Sequence, residues 1–121
     1  MRITALALSF ASALALISSP ASAQQQYNGT WNVEVLPQQG SCNRAIRFPV
    51  VIQNGQVRYG GAEGIGISGA VTRKGVIRGN VAAGVVQASV VGRLSRRSGS
   101  GTWAASGSVN CSGQWRAARI V

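Results

Sequence analysis

Most of the ionisable side chains in this sequence are guanidinium groups. The 121 residues hold 12 Lys and Arg against 2 acidic residues and no His, for a formal net charge of +10. Hydrolysis by paired carboxyl groups needs two acids converging on one bond, and the only acids are Glu34 and Glu63. Glu34 alternates with Val33 and Val35 and is expected to face solvent, whereas Glu63 lies in a Gly-rich turn. A serine nucleophile needs an activating base; without His the one amine is Lys74, in a turn of exposed character. With neither His nor Asp, and only two Cys, there is no ligand set for a metal. Gly64-Ile65-Gly66 has the composition of a phosphate loop, but no helix follows to present its N-terminus. The expectation is a protein without catalytic activity, metal or cofactor.

What the inventory does offer is positive charge. From Gly64 to the last residue there is no acid, while Arg73, Lys74, Arg78, Arg93, Arg96, Arg97, Arg116 and Arg119 are present. Such unpaired cations repel one another and keep a surface soluble. Arg78 and Arg93 also flank an uncharged, β-prone run over 81–91 and can act there as aggregation gatekeepers. Alternatively they attract a polyanion, and ten arginines to one lysine beyond residue 23 favour the guanidinium fork that grips phosphate and carboxylate bidentately. The candidate anion-binding residues are Arg73, Arg78, Arg93, Arg96 and Arg97. No nucleic-acid motif is visible, so the expected polyanion is lipopolysaccharide phosphate or an acidic polysaccharide.

That choice of partner follows from the first 23 residues. Met1-Arg2 gives a positive start, 3–17 is an uncharged and mostly apolar run, and Ser18-Ser19-Pro20 leads to Ala21-Ser22-Ala23. This is the pattern of a secretory signal peptide cleaved after Ala23. Its apolar run of about 15 residues falls short of the ~20 that a spanning helix needs. No Cys follows the cleavage site to carry a lipid, and no later stretch reaches spanning length. Residues 24–121 are read as a single domain, periplasmic or secreted. In an oxidising compartment the only two cysteines, Cys42 and Cys111, are expected to pair. The chain-entropy model assigns closure of that long loop about 4 kcal/mol.

The domain that positions these groups reads as all-β. Beyond residue 23 there are 14 Val and 6 Ile but only 2 Leu, and 16 glycines punctuate the chain. Trp31, Val33 and Val35 share one face of a strand over 27–36; Ile46, Phe48, Val50 and Ile52 share one over 44–53, with Arg47 pointing away. Pro49 cannot donate to a ladder, so this second strand is expected at an edge or bulged. Asn54-Gly55 is a hairpin signal, with a return strand over 56–60 placing Val57 and Tyr59 inward. Further strands are read around Ile65, Ile67 and Val71, then over 76–81, 85–94, 101–109 and 113–120, with a polar loop over 95–100. The expectation is an antiparallel meander of seven or eight short strands, forming a barrel or a sandwich.

All three tryptophans sit in Gly-x-Trp: Gly29-Thr30-Trp31, Gly101-Thr102-Trp103 and Gly113-Gln114-Trp115. They are read as core anchors or, alternatively, as an aromatic cluster lining a ligand. Gly-x-Trp on the first strand with an Arg near the chain end resembles lipocalins. That likeness implies a cation–π contact of Trp31 with Arg116 or Arg119. A roomy lipocalin cavity is not expected from 98 residues of small side chains.

A second likeness covers nearly the whole domain. It rests on Tyr27-Asn28-Gly29-Thr30-Trp31, Cys42, Asn54-Gly55-x-Val57, Gly69-x-Val71, Gly92-Arg93-Leu94, Gly99-Ser100-Gly101-Thr102-Trp103 and Cys111-Ser112-Gly113-Gln114-Trp115-x-Ala117-x-Arg119. In this order the motifs resemble a group of short exported proteins of alphaproteobacteria. The resemblance implies a Gram-negative envelope setting and carries neither an activity nor site residues. Together the readings give an exported, non-enzymatic module that binds an anionic envelope or extracellular polymer; the alternative is an inhibitor of an exported hydrolase, an acidic protease in preference to a basic lysozyme.

Overall fold

Strand-forming Val, Ile and Thr, interrupted every few residues by glycine, leave the chain little choice but short strands joined by tight turns. The computed structural model describes residues 25–42, 44–61 and 64–120; the export segment read over 1–23, and Glu63, lie outside them. A single 3₁₀ turn, Gln25–Tyr27, leads into β1 (Gly29–Gly40), β2 (Ile46–Gln53), β3 (Gln56–Tyr59) and β4 (Gly66–Val71). The chain continues through β5 (Val76–Ala83), β6 (Val86–Leu94), β7 (Ser98–Gly107) and β8 (Cys111–Arg119). Each strand pairs antiparallel with the next, and β8 pairs with β1, closing an up-and-down barrel. The meander is therefore eight strands and a barrel, not a sandwich.

Closure corrects the reading of Pro49. β2 is no edge strand: it pairs with β1 straight through Asn32↔Pro49 and with β3 as far as Val50↔Tyr59. The β2–β3 ladder ends there, and Gly60 N–H donates to the Pro49 carbonyl (3.0 Å) with no return bond required. The missing donor thus falls on a rung that terminates the ladder. Asn54 and Gly55 take positive φ (52° and 78°), as the two-residue hairpin demands. β7 begins at Ser98, earlier than its composition signals. The ladders Leu94↔Gly99 and Ser98↔Ala118 on its two sides hold that polar start in the sheet.

Inward positions alternate along every strand, and their sizes taper. Trp31, Ile52, Val57, Val71, Ile77, Leu94, Trp115 and Ala117 are buried towards one pole. Across that pole lies the 3₁₀ turn, with Tyr27 buried beneath it. Gln26 Nε2 donates to the Arg73 carbonyl (2.6 Å), Asn54 N–H to Asn28 Oδ1 (2.8 Å) and Trp31 Nε1 to the Tyr27 carbonyl (3.0 Å). Arg119 completes the seal. Its guanidinium carbon lies 5.8 Å from the Trp31 ring centroid, and it donates to the carbonyls of Gln26, Arg96 and Asn28. At the other pole Cys42 is bonded to Cys111, their Cα atoms 5.8 Å apart, within the ordinary disulfide span. This ties the β1–β2 connection to the first residue of β8.

Candidate functional site

Above the sealed pole the barrel is hollow. A cavity of about 340 Å³ runs from Trp115 and Ile77 towards the disulfide pole, walled by carbon from Val33, Phe48, Val90 and Trp103 among others. Eight strands fix an interior that side chains can just fill or that can hold one small ligand. Here the upper lumen faces inward with Gly69, Gly79, Ala88 and Ala105, which cannot reach the axis. The expectation that small side chains preclude a roomy cavity is therefore overturned. Strand number sets the bore, so small residues empty it. The signal was present in the sequence as Gly and Ala at inward positions of four consecutive strands.

The tryptophans divide between the two readings. Trp31 is fully buried in the sealed pole, whereas Trp103 and Trp115 line the cavity. Both indoles are pinned by carbonyls, Trp103 Nε1 to Gln114 (3.0 Å) and Trp115 Nε1 to Val91 (3.1 Å), so each presents carbon to the lumen. The Gly-x-Trp motifs interlock across the β7–β8 ladder as Gly101↔Trp115 and Trp103↔Gly113. A Cβ on Gly101 would stand 2.7 Å from Trp115 Nε1. The glycine of one motif thus makes room for the tryptophan of the other.

Of the anion-binding candidates, Arg73, Arg96 and Arg97 all reach the sealed pole, in the β4–β5 and β6–β7 connections. Arg78 and Arg93 stand on the outer face of β5 and β6, where Arg78 pairs opposite Val91 and Arg93 opposite Val76. All five belong to the closed half, away from the cavity mouth, and Arg78 is also among the residues that line the cavity. Arg116 does not stack on Trp31; it faces outward opposite Glu34, while Arg119 is the residue opposite Trp31. Glu34 is bracketed by Arg116 Nε (2.6 Å) and Arg47 Nη2 (3.1 Å), and its side chain is only 16% exposed against 66% and 67% for theirs. The Arg116 hydrogen bond, then that of Arg47, hold its carboxyl below the ordinary carboxylate range. Glu34 faces outward as expected, but under arginine cover.

Among the described residues no group of three His, Cys, Asp or Glu gathers as a metal site, and no helix is long and apolar enough to cross a membrane. The outer wall carries Gln87 and Gln114 while the lumen is carbon-lined, the reverse of a membrane-spanning barrel. Fold and site define a small closed barrel with one sealed pole, an apolar lumen and one open mouth. No protein-family model matches the chain, and no curated protein or solved structure matches it.

Proposed function

We propose that this protein is an exported, non-enzymatic carrier or binder of a small apolar molecule, held in the barrel lumen. The cavity carries the reading: its 340 Å³ lies within the range of small-molecule sites, and its wall is almost wholly carbon. The Cys42–Cys111 bond supports an oxidising setting, periplasmic or extracellular. A ligand that binds only the folded barrel raises its stability by mass action. At a hundredfold excess over Kd the gain is about 2.7 kcal/mol, roughly 10 °C or more in the unfolding midpoint of a domain this size. Thermal unfolding with dodecanol is expected to show such a shift. Ala105→Trp, which fills the lumen, is expected to abolish it, and Ala104→Trp on the outer face to keep it. No shift in the native chain, or an equal shift in the lumen-filled variant, would sink the reading.

A second reading is favoured by the placement of Arg73, Arg96 and Arg97 at one pole, with Arg78 and Arg93 beside it. That cationic half fits an anionic envelope or extracellular polymer, such as lipopolysaccharide or an acidic glycan. It uses the outside of the barrel and so is compatible with an occupied lumen.

A further inference from the structure

Among the described residues the two poles of the barrel differ in charge as well as in packing. Among the described residues of the mouth, 37–42, 44–46, 59–61, 64–66, 82–86 and 105–112, Arg44 is the one that carries a charge; Glu63, in the β3–β4 connection, lies outside the described residues. Its lip is apolar as well: Ile46 is 51% and Val85 74% exposed. Arg44 lines the cavity together with Cys42 and Ile46. The backbone around it is held on both sides. Two residues before it the chain is fixed by the bond to Cys111, and two residues after it β2 begins.

A cation at the mouth of a carbon-lined lumen complements one kind of molecule: a hydrocarbon chain ending in an anion. The chain leaves water in the lumen, and the head stays at the lip, where the guanidinium fork donates two charge-assisted hydrogen bonds. A neutral head would forgo those charge-assisted bonds, and a buried anion would lose its hydration without repayment. Resting on the lumen reading above, we infer that the ligand is an anionic amphiphile with a single hydrocarbon chain, its carboxylate or phosphate head bound by Arg44.

Calorimetric titration of the purified protein with dodecanoate, dodecyl phosphate and dodecanol separates head from tail, because the three share one chain. The two anions are expected to bind about tenfold more tightly than the alcohol, the ratio equivalent to one good charge-assisted contact. Arg44→Gln should erase that preference while leaving dodecanol affinity unchanged, and Arg44→Lys should retain part of it. Arg96→Gln, at the opposite pole, controls for the general pull of a positive protein on anions and should leave the preference intact. The difference between the two anions then tells which head the mouth prefers. Equal binding of anions and alcohol, or equal losses in Arg44→Gln and Arg96→Gln, overturns the inference and leaves the lumen reading standing. If none of the three binds, both fall.

Discussion

Glu34 shows how much one acid can organise in a chain so short of them. Its two oxygens serve arginines on both neighbouring strands, because the registers Glu34↔Arg47 and Glu34↔Arg116 put all three side chains on one outer row. The hydrogen bonds from Arg116 and then Arg47 hold its folded-state pKa below the ordinary carboxylate range. A depressed carboxyl contributes stability that is present above its unfolded pKa and disappears as pH falls through the folded one. Glu34→Gln is therefore expected to lower the unfolding midpoint at neutral pH, and by progressively less as the solution is taken below about pH 4. Thermal unfolding of both proteins across pH 2–7 checks this, and parallel curves would refute it. Register likewise decides what spacing left open in the sequence. Arg116 and Arg119 were equal candidates for Trp31 until the β1–β8 ladder placed Glu34 opposite the first and Trp31 opposite the second.

At the scale of elements, alternation made most strands legible: Val33 and Val35 in β1, Phe48 to Ile52 in β2, and Val86 to Leu94 in β6 face inward as their spacing requires. Where glycine replaces the inward residue the pattern goes silent, which is why the start of β7 was hidden behind Ser98-Gly99-Ser100. The same silence concealed what the glycines do. Gly92 and Gly101 are paired across β6–β7, and a Cβ on either would collide with the Trp115 indole as well as with backbone. Gly101→Ala should consequently displace Trp115 and break its hydrogen bond to Val91, costing about 1–3 kcal/mol in the manner of an overpacked core. Ala105→Gly, four residues along the same lumen face, removes rather than adds volume and serves as the contrast. Denaturant unfolding and tryptophan fluorescence should both single out Gly101→Ala. An unperturbed emission spectrum would mean that Trp115 does not need the space.

Over the whole molecule, closure turns a list of arginines into a polarity. Composition announced the excess of cations, and spacing announced the strands, but only the up-and-down order sends the Arg73-Lys74 and Arg96-Arg97 connections to the same pole. Neither the apolar lumen nor the place of Arg44 at its mouth could be read before the barrel was known to close, since both depend on which residues meet around one axis. With few acids to offset it, the cationic pole repels itself, and that repulsion is screened over ~10 Å at 0.1 M salt and ~3 Å at 1 M. Stability should then rise with added sodium chloride, and the rise should flatten in Arg96→Ser/Arg97→Ser, which keeps the backbone carbonyls that Arg119 uses. The same pair tests the outer surface as a polyanion site. Native protein is expected to leave an immobilised acidic glycan at higher salt than the double variant, with dodecanoate affinity equal in both. Retention that does not change would remove Arg96 and Arg97 from the polymer-binding surface and leave their repulsion as a plain cost of the fold, whereas coupled loss of dodecanoate binding would show that the two poles of the barrel do not act independently.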